Sequence, residues 1–253
     1  MIDAHIHLEQ YFEIDRQIET WKENGVQGVV AVSIDLRSSY RTLELQRKYP
    51  EFVYAAIGFH PEYPLPNPPD FEEWQTLLKT ERHRIIAVGE IGLPHYNLEK
   101  LQAPLEAYLD FLSNCLVIAN AEQLPVILHA VHDKAEVVCS LLQEKQITNA
   151  HFHWLKATQD VLETILQLGY FVSVTPEVCY RERDQKLALQ TPLQQLLIET
   201  DGPWNFDGPF QHLDTSPLLL DPIIQTLSRL KGQDYEKIRD ITLHNTKRCY
   251  RLN

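Results

Sequence analysis

The stretch Leu124-Pro125-Val126-Ile127-Leu128-His129, followed after four residues by Lys134-Ala135-Glu136-Val137-Val138-Cys139-Ser140-Leu141-Leu142-Gln143-Glu144, decides the fold. Its first part is a short apolar run of strand length, with the near-continuous hydrophobicity of a strand buried on both faces. Its second part places Val137, Val138, Leu141 and Leu142 on one helical stripe. The same alternation continues in both directions. Apolar runs of strand length occur at Ile2–Ile6, Val26–Val32, Phe52–Ile57, Ile85–Val88, Val126–Leu128, Ala150–Trp154, Tyr170–Val174 and Leu196–Ile198. Helical periodicity lies between them, with Ile14, Ile18 and Trp21 in step over Ile14–Glu23. A long helix is predicted over Leu101–Ala121, with Pro104 near enough its start to be tolerated.

Strand and helix alternating eight times is the pattern of a (β/α)8 TIM barrel, and 253 residues is close to the roughly 250 typical of one. A doubly wound open sheet competes, but no glycine-rich dinucleotide loop follows any strand. No Gly/Ser linker or shift of composition divides the chain, so residues 1–253 read as a single domain, with Pro61–Pro69 a loop after the third strand. Lys and Arg total 23 against 35 Asp and Glu, a net charge of −12. That acidity leaves no basic face to coat a nucleic acid, although it permits an enzyme that holds phosphate through metal ions. Cys115, Cys139, Cys179 and Cys249 form no Cys-x-x-Cys pair and read as reduced, mostly buried thiols. The N-terminal residues do not read as a signal peptide, and no apolar run is long enough to span a bilayer; the expectation is a cytoplasmic protein.

The C-terminal strand ends of such a barrel form its active-site mouth. The first strand ends Asp3-Ala4-His5-Ile6-His7, and residues two apart share a face, so His5 and His7 can address one site as metal ligands. The third strand ends in His60, the fourth leads into Glu90, the fifth ends in His129, the sixth in His153 and the eighth in Glu199-Thr200-Asp201. Ligand-type side chains thus close six of the eight strands at one rim. His151 shares a face with His153 but lies deeper, so His153 is the favoured ligand and His151 a hydrogen-bonded core residue. His95 and His132 directly follow strand ends and are lesser candidates to line the mouth. His83, His212 and His244 take surface or capping positions by default.

The motifs Asp3-Ala4-His5-Ile6-His7, Gly58-Phe59-His60-Pro61, Gly89-Glu90-Ile91-Gly92-Leu93, Leu124–His129, Glu199-Thr200-Asp201-Gly202-Pro203 and Asn245-Thr246-Lys247-Arg248 together resemble the TatD family of metal-dependent hydrolases. The resemblance runs in order from the first strand to the C-terminal end. It implies an amidohydrolase-type barrel with one or two divalent ions (Mg, Mn or Zn). His5, His7, Glu90 and Asp201 would hold one, while Glu90, His129 and His153 hold the other with Glu90 as bridge. Two divalent cations would outweigh the Glu90 and Asp201 carboxylates, leaving positive charge suited to a phosphoryl group. Asp201 could also receive the proton of the attacking water, and His60 would touch substrate in the mouth.

The sequence departs from the family pattern where Pro94-His95 follows Leu93, where Val131 stands in place of an arginine, and where Lys156-Ala157 replaces Ser-Gly. The lost arginine would be a bidentate phosphate contact, which Lys156 could restore in charge. The leading expectation is a phosphodiester hydrolase acting on DNA ends or short phosphodiesters, without an extended nucleic-acid surface or a membrane partner. A hydrolase of a small amide, ester or lactone is the alternative, and a catalytically idle metal-binding protein the third reading. Oligomeric state is not legible.

Overall fold

In a computed structural model describing residues 1–252, eight parallel strands lie in sequence order in one sheet. They are β1 Ile2–Ile6, β2 Gly28–Ala31, β3 Val53–Ile57, β4 Ile85–Gly92, β5 Val126–His129, β6 Ala150–Phe152, β7 Phe171–Val174 and β8 Leu196–Ile198. The helices are α1 Ile14–Glu23, α2 Leu36–Lys48, α3 Pro68–Thr80, α4 Leu105–Ala121, α5 Lys134–Glu144, α6 Gln159–Gln167, α7 Glu182–Gln190, α8 Leu220–Lys231 and α9 Tyr235–Tyr250. This is the TIM barrel expected from the alternation. Among the described residues no helix is long and apolar enough to cross a membrane.

The alternation fixes two apolar layers. Val30, Val32, Ala56, Ala87, Ile127, Phe171 and Leu197, with Ile2 and Ala4, form one mutually packed cluster drawn from seven strands. Only the barrel interior lets so many strands meet, and Cys249 and Tyr250 of α9 close its floor. The intervening strand residues face outward against the helices; Val29 and Ala31, for example, pack with Ile14, Ile18 and Trp21 of α1. Cys115, Cys139 and Cys249 are buried, Cys179 half-buried, and all four are free thiols.

Several local expectations need correction. The helix predicted from Leu101 begins at Leu105, with Pro104 at its N-terminal boundary in extended backbone. Proline lacks an N–H and disfavours a helical residue before it, so the periodicity of residues 101–104 could not continue the helix backwards. Pro68 and Pro69, expected in a loop, occupy the first turn of α3, where a missing N–H costs nothing and the Asn67 side chain accepts from the Asp70 N–H. On α5 the buried stripe is Ala135, Val138, Cys139 and Leu142, whereas Val137 is exposed. Strand β4 runs through Gly92 rather than stopping at Val88, so Glu90 lies inside the sheet.

Two register shifts bear on the mouth. One on the β1–β2 ladder falls between Asp3 and Ile6, and one on β4–β5 falls between Val88 and Ile91. They enclose His5 and Glu90, and such irregularities re-aim side chains next to functional sites. Glycine makes these turns possible. Gly92 has φ 153°, and a Cβ there would overlap the His129 carbonyl; at Gly58 it would fall 2.7 Å from the Glu90 carbonyl oxygen.

The seam between β8 and β1 is closed by few bonds. The Asp201 N–H donates to the His5 carbonyl at 3.1 Å and the His7 N–H to the Gly202 carbonyl at 2.8 Å. The buried Asp3 carboxylate adds two more, accepting from the Thr200 N–H at 3.0 Å and the Thr200 hydroxyl at 2.5 Å. At the other end of β8 the buried Asn245 amide donates to the carbonyls of Leu193 at 2.6 Å and Leu196 at 2.8 Å. Replacing Asn245 by Ala removes both buried bonds, so Asn245→Ala should lower unfolding stability by about 1–3 kcal/mol. Urea denaturation should show this as a lower midpoint at unchanged slope.

Candidate metal centre

At the mouth, the two oxygens of one carboxylate face different sets of imidazoles. Glu90 is fully buried. Its Oε2 lies 3.2 Å from His5 Nε2 and 3.6 Å from His7 Nε2. Asp201 Oδ1 stands 3.3 and 3.5 Å from the same two nitrogens. Glu90 Oε1 faces the other way, 3.0 Å from His129 Nδ1, 3.3 Å from His60 Nε2 and 3.4 Å from His153 Nε2. The structure therefore brings His5, His7, His60, Glu90, His129, His153 and Asp201 together around Glu90.

The spacing suits cations. In a tetrahedral site with bonds of about 2.0–2.2 Å, neighbouring ligand atoms stand about 3.4 Å apart. His5 Nε2, Glu90 Oε2 and Asp201 Oδ1 are buried yet have no hydrogen-bond partner among the described residues. Native interiors rarely leave such atoms unsatisfied, and a divalent ion would satisfy all three at once.

Electrostatics follow from this crowding. Burial alone would raise the Glu90 pKa, but the surrounding His60, His153 and His5 rings hold it well below the usual carboxylate range. Burial would likewise lower His5, yet Glu90 and Asp201 hold it well above the ordinary histidine value. His153 is pushed well below that value by burial and by the neighbouring His5, and a neutral imidazole is the form that ligates metal.

The surrounding side chains orient these rings. His153 Nδ1 meets Glu199 Oε1 at 3.1 Å, which turns its Nε2 toward Glu90, and the Trp154 N–H donates to the same oxygen at 2.8 Å. His60 Nδ1 accepts the Glu62 backbone N–H at 3.1 Å. The neutral His60 ring accordingly carries its proton on Nε2, facing the cluster as a donor. His129 Nε2 meets Glu62 Oε1 at 3.2 Å, leaving Nδ1 for the centre. Glu62 also accepts the backbone N–H groups of His95, Tyr96 and Asn97 at 2.7, 2.9 and 2.6 Å.

His151 sits beneath, fully buried, with Nδ1 on the Tyr250 hydroxyl at 2.6 Å. His95 and His132 do not line the mouth; their rings pair beside it at 4.5 Å, with His95 Nδ1 3.4 Å from Asp133. His83, His212 and His244 are exposed. The sequence reading gave no role to Glu62 or Glu199. A carboxylate adjoining each motif, in His60-Pro61-Glu62 and Glu199-Thr200-Asp201, was the available signal.

A cavity of about 930 Å³ opens above the cluster. His7, His60, His129, His153 and Asp201 reach its floor, while Tyr63, Tyr96, Trp154, Lys156 and Trp204 line its wall.

An eight-stranded parallel barrel with histidines and carboxylates gathered at its C-terminal mouth is a TIM barrel of the metal-dependent hydrolase type. The TatD related DNase family matches residues 2–251, and the chain belongs to that family. It is 36% identical over 256 residues to an uncharacterized metal-dependent hydrolase of Haemophilus influenzae, with the whole of both chains covered. It is 28% identical to the 3'-5' ssDNA/RNA exonuclease TatD of Erwinia tasmaniensis, over 94% of this chain and 93% of the relative. Among solved structures, a TatD homologue from Escherichia coli superposes with a TM-score of 0.88 at 24% identity, covering 100% of this chain and 98% of that one, and so shares the fold.

If Glu62 is what fixes the 95–97 segment, Glu62→Ala should abolish the amide-exchange protection of His95, Tyr96 and Asn97 while leaving that of β2 intact. Hydrogen exchange read by NMR or mass spectrometry checks this.

Proposed function

We propose that this protein is a divalent-metal-dependent hydrolase of phosphodiester bonds that works on nucleic-acid ends or short phosphodiesters. The observation that carries this reading is the buried Glu90 carboxylate, whose two oxygens each face a separate set of nitrogen ligands beneath one open cavity. Relatives named as exonucleases in the same family support the substrate class.

In this reading His5, His7, Glu90 and Asp201 hold one ion, and Glu90, His129 and His153 hold the other. The ions would supply Lewis-acid stabilisation of charge developing on the phosphoryl oxygens. Asp201 faces the cavity and accepts the proton of the attacking water at its carboxylate. The phosphorus–oxygen bond to the leaving group breaks, and the proton held by Asp201 is available to the departing oxygen. His60, with its proton on Nε2, donates to a phosphoryl oxygen rather than ligating metal. Glu62 and Glu199 position His129 and His153 and take no part in proton transfer.

Three experiments test the reading. Protein refilled with Mn or Zn should bind metal by elemental analysis, chelation should abolish turnover, and Glu90→Gln should weaken both sites together. Absence of bound metal would reject the assignment. Asp201→Asn, which keeps shape and one ligating oxygen, should lower kcat by about 10²–10⁴-fold while metal content falls far less. A substrate panel containing oligonucleotides, simple phosphodiesters, lactones and amides decides the class of bond. Turnover confined to a neutral lactone or amide would replace the phosphodiester reading with small-molecule hydrolysis on the same site.

A further inference from the structure

The wall of the cavity has a composition that hydrolysis alone does not require. Among the described residues, the largely exposed aromatic side chains are Phe12, Tyr40, Tyr63, Tyr96 and Trp204, and the last three all line this cavity. Trp204 is 59% exposed and Tyr96 52%. Leaving an indole in water forgoes the free energy of burying it, so fold stability gives no reason for its position. Its backbone is nonetheless pinned. The Trp204 N–H donates to the Asp201 carbonyl at 3.1 Å, and the Trp204 carbonyl accepts from the Thr215 hydroxyl. The ring is therefore presented from a fixed backbone three residues beyond a candidate metal ligand.

Trp204 continues into a band. It meets Trp154 edge-on, with ring centroids 5.9 Å apart. The Lys156 ammonium lies 4.2 Å from the centroid of Trp154 and donates to the Tyr96 hydroxyl at 2.7 Å. Lys156 and Arg181 are the basic side chains lining the cavity. Arg181 is neutralised by Glu177 and Asp207. Lys156 is half-buried and has no carboxylate within ion-pair distance among the described residues. A partly desolvated ammonium held by a phenol and a ring face keeps its charge available to an anion.

We infer that Trp204, Tyr96 and Lys156 form a subsite for a nucleotide unit, in which a nucleobase stacks on the exposed indole and a phosphate pairs with Lys156. Aromatic stacking accepts any base, because every base offers a π-face, and it needs no basic tract along the strand. An enzyme with net charge −12 can thereby hold the end of a nucleic acid by one base and one phosphate. This inference rests on the phosphodiester reading for its substrate but on different residues.

Isothermal titration of the magnesium-loaded full chain with AMP, adenosine and ribose 5-phosphate tests it. AMP should bind roughly 10-fold or more tighter than ribose 5-phosphate. Trp204→Leu should weaken AMP and adenosine alike and leave ribose 5-phosphate unchanged, and Trp204→Phe should restore most of the loss. Lys156→Ala should weaken AMP and leave adenosine unchanged. AMP binding no tighter than ribose 5-phosphate, or Trp204→Leu with unaltered AMP affinity, would overturn the subsite. Oligonucleotides cleaved with the same KM whether or not the terminal base is present would overturn it too, while leaving the phosphodiester reading standing. The predicted binding pattern in an enzyme that cleaves no phosphodiester would do the reverse.

Discussion

A carboxylate with no access to water is the constraint around which the mouth of this barrel is arranged. Burying an unpaired charge costs several kcal/mol even after relaxation, so Glu90 can stay ionised only if positive or proton-bearing groups surround it. Five imidazoles do so in two sets: His5 and His7 on Oε2, and His60, His129 and His153 on Oε1. Imidazoles alone complete the task poorly, since among the described residues His5 Nε2, Glu90 Oε2 and Asp201 Oδ1 still lack hydrogen-bond partners. The cluster thus leaves buried polar atoms converging where a divalent ion would satisfy them. The two oxygens of this one carboxylate hold two sets of imidazoles over a shared floor.

That arrangement exists only because the barrel closes. His5 and His7 are on and just beyond β1, and Asp201 follows β8, at opposite ends of the strand order. The seam bonds from Asp201 to His5, from His7 to Gly202, and from Thr200 to Asp3 bring them within 3.5 Å of each other. Asp3, inside the same motif as the histidines, is part of the closure rather than of the metal cluster. The motif Asp3-Ala4-His5-Ile6-His7 combines both tasks because alternate residues of one strand end reach the seam and the mouth.

The loops above the strands link the centre to the wall. Glu62 orients His129 with one oxygen and gathers three backbone amides of the segment that carries Tyr96. Glu199 orients His153 and accepts the backbone N–H of Trp154, whose ring supports Lys156. Each orienting carboxylate therefore fixes one histidine of the cluster and one element of the cavity wall together. The cluster and the wall share their supports.

The sequence by itself determined the barrel, because strand-length apolar runs and helical stripes have different periods that local physics reads without knowledge of partners. It also marked His5, His7, His60, Glu90, His129, His153 and Asp201 as a group, because each falls near or just beyond the end of a strand-length apolar run and all such ends share one rim. It could not place Pro104 as a helix boundary from periodicity, nor extend β4 through the polar Glu90, because patterning reports burial rather than hydrogen bonding. Only the tertiary structure decided which oxygen of Glu90 faces which imidazole, which nitrogen of His60 accepts the Glu62 N–H, and that Glu62 and Glu199 orient histidines 67 and 46 residues away. These partnerships are made by loops and buried side chains, which have no period to betray them. Their energy comes from contacts that form only when the eight strands close around a common axis.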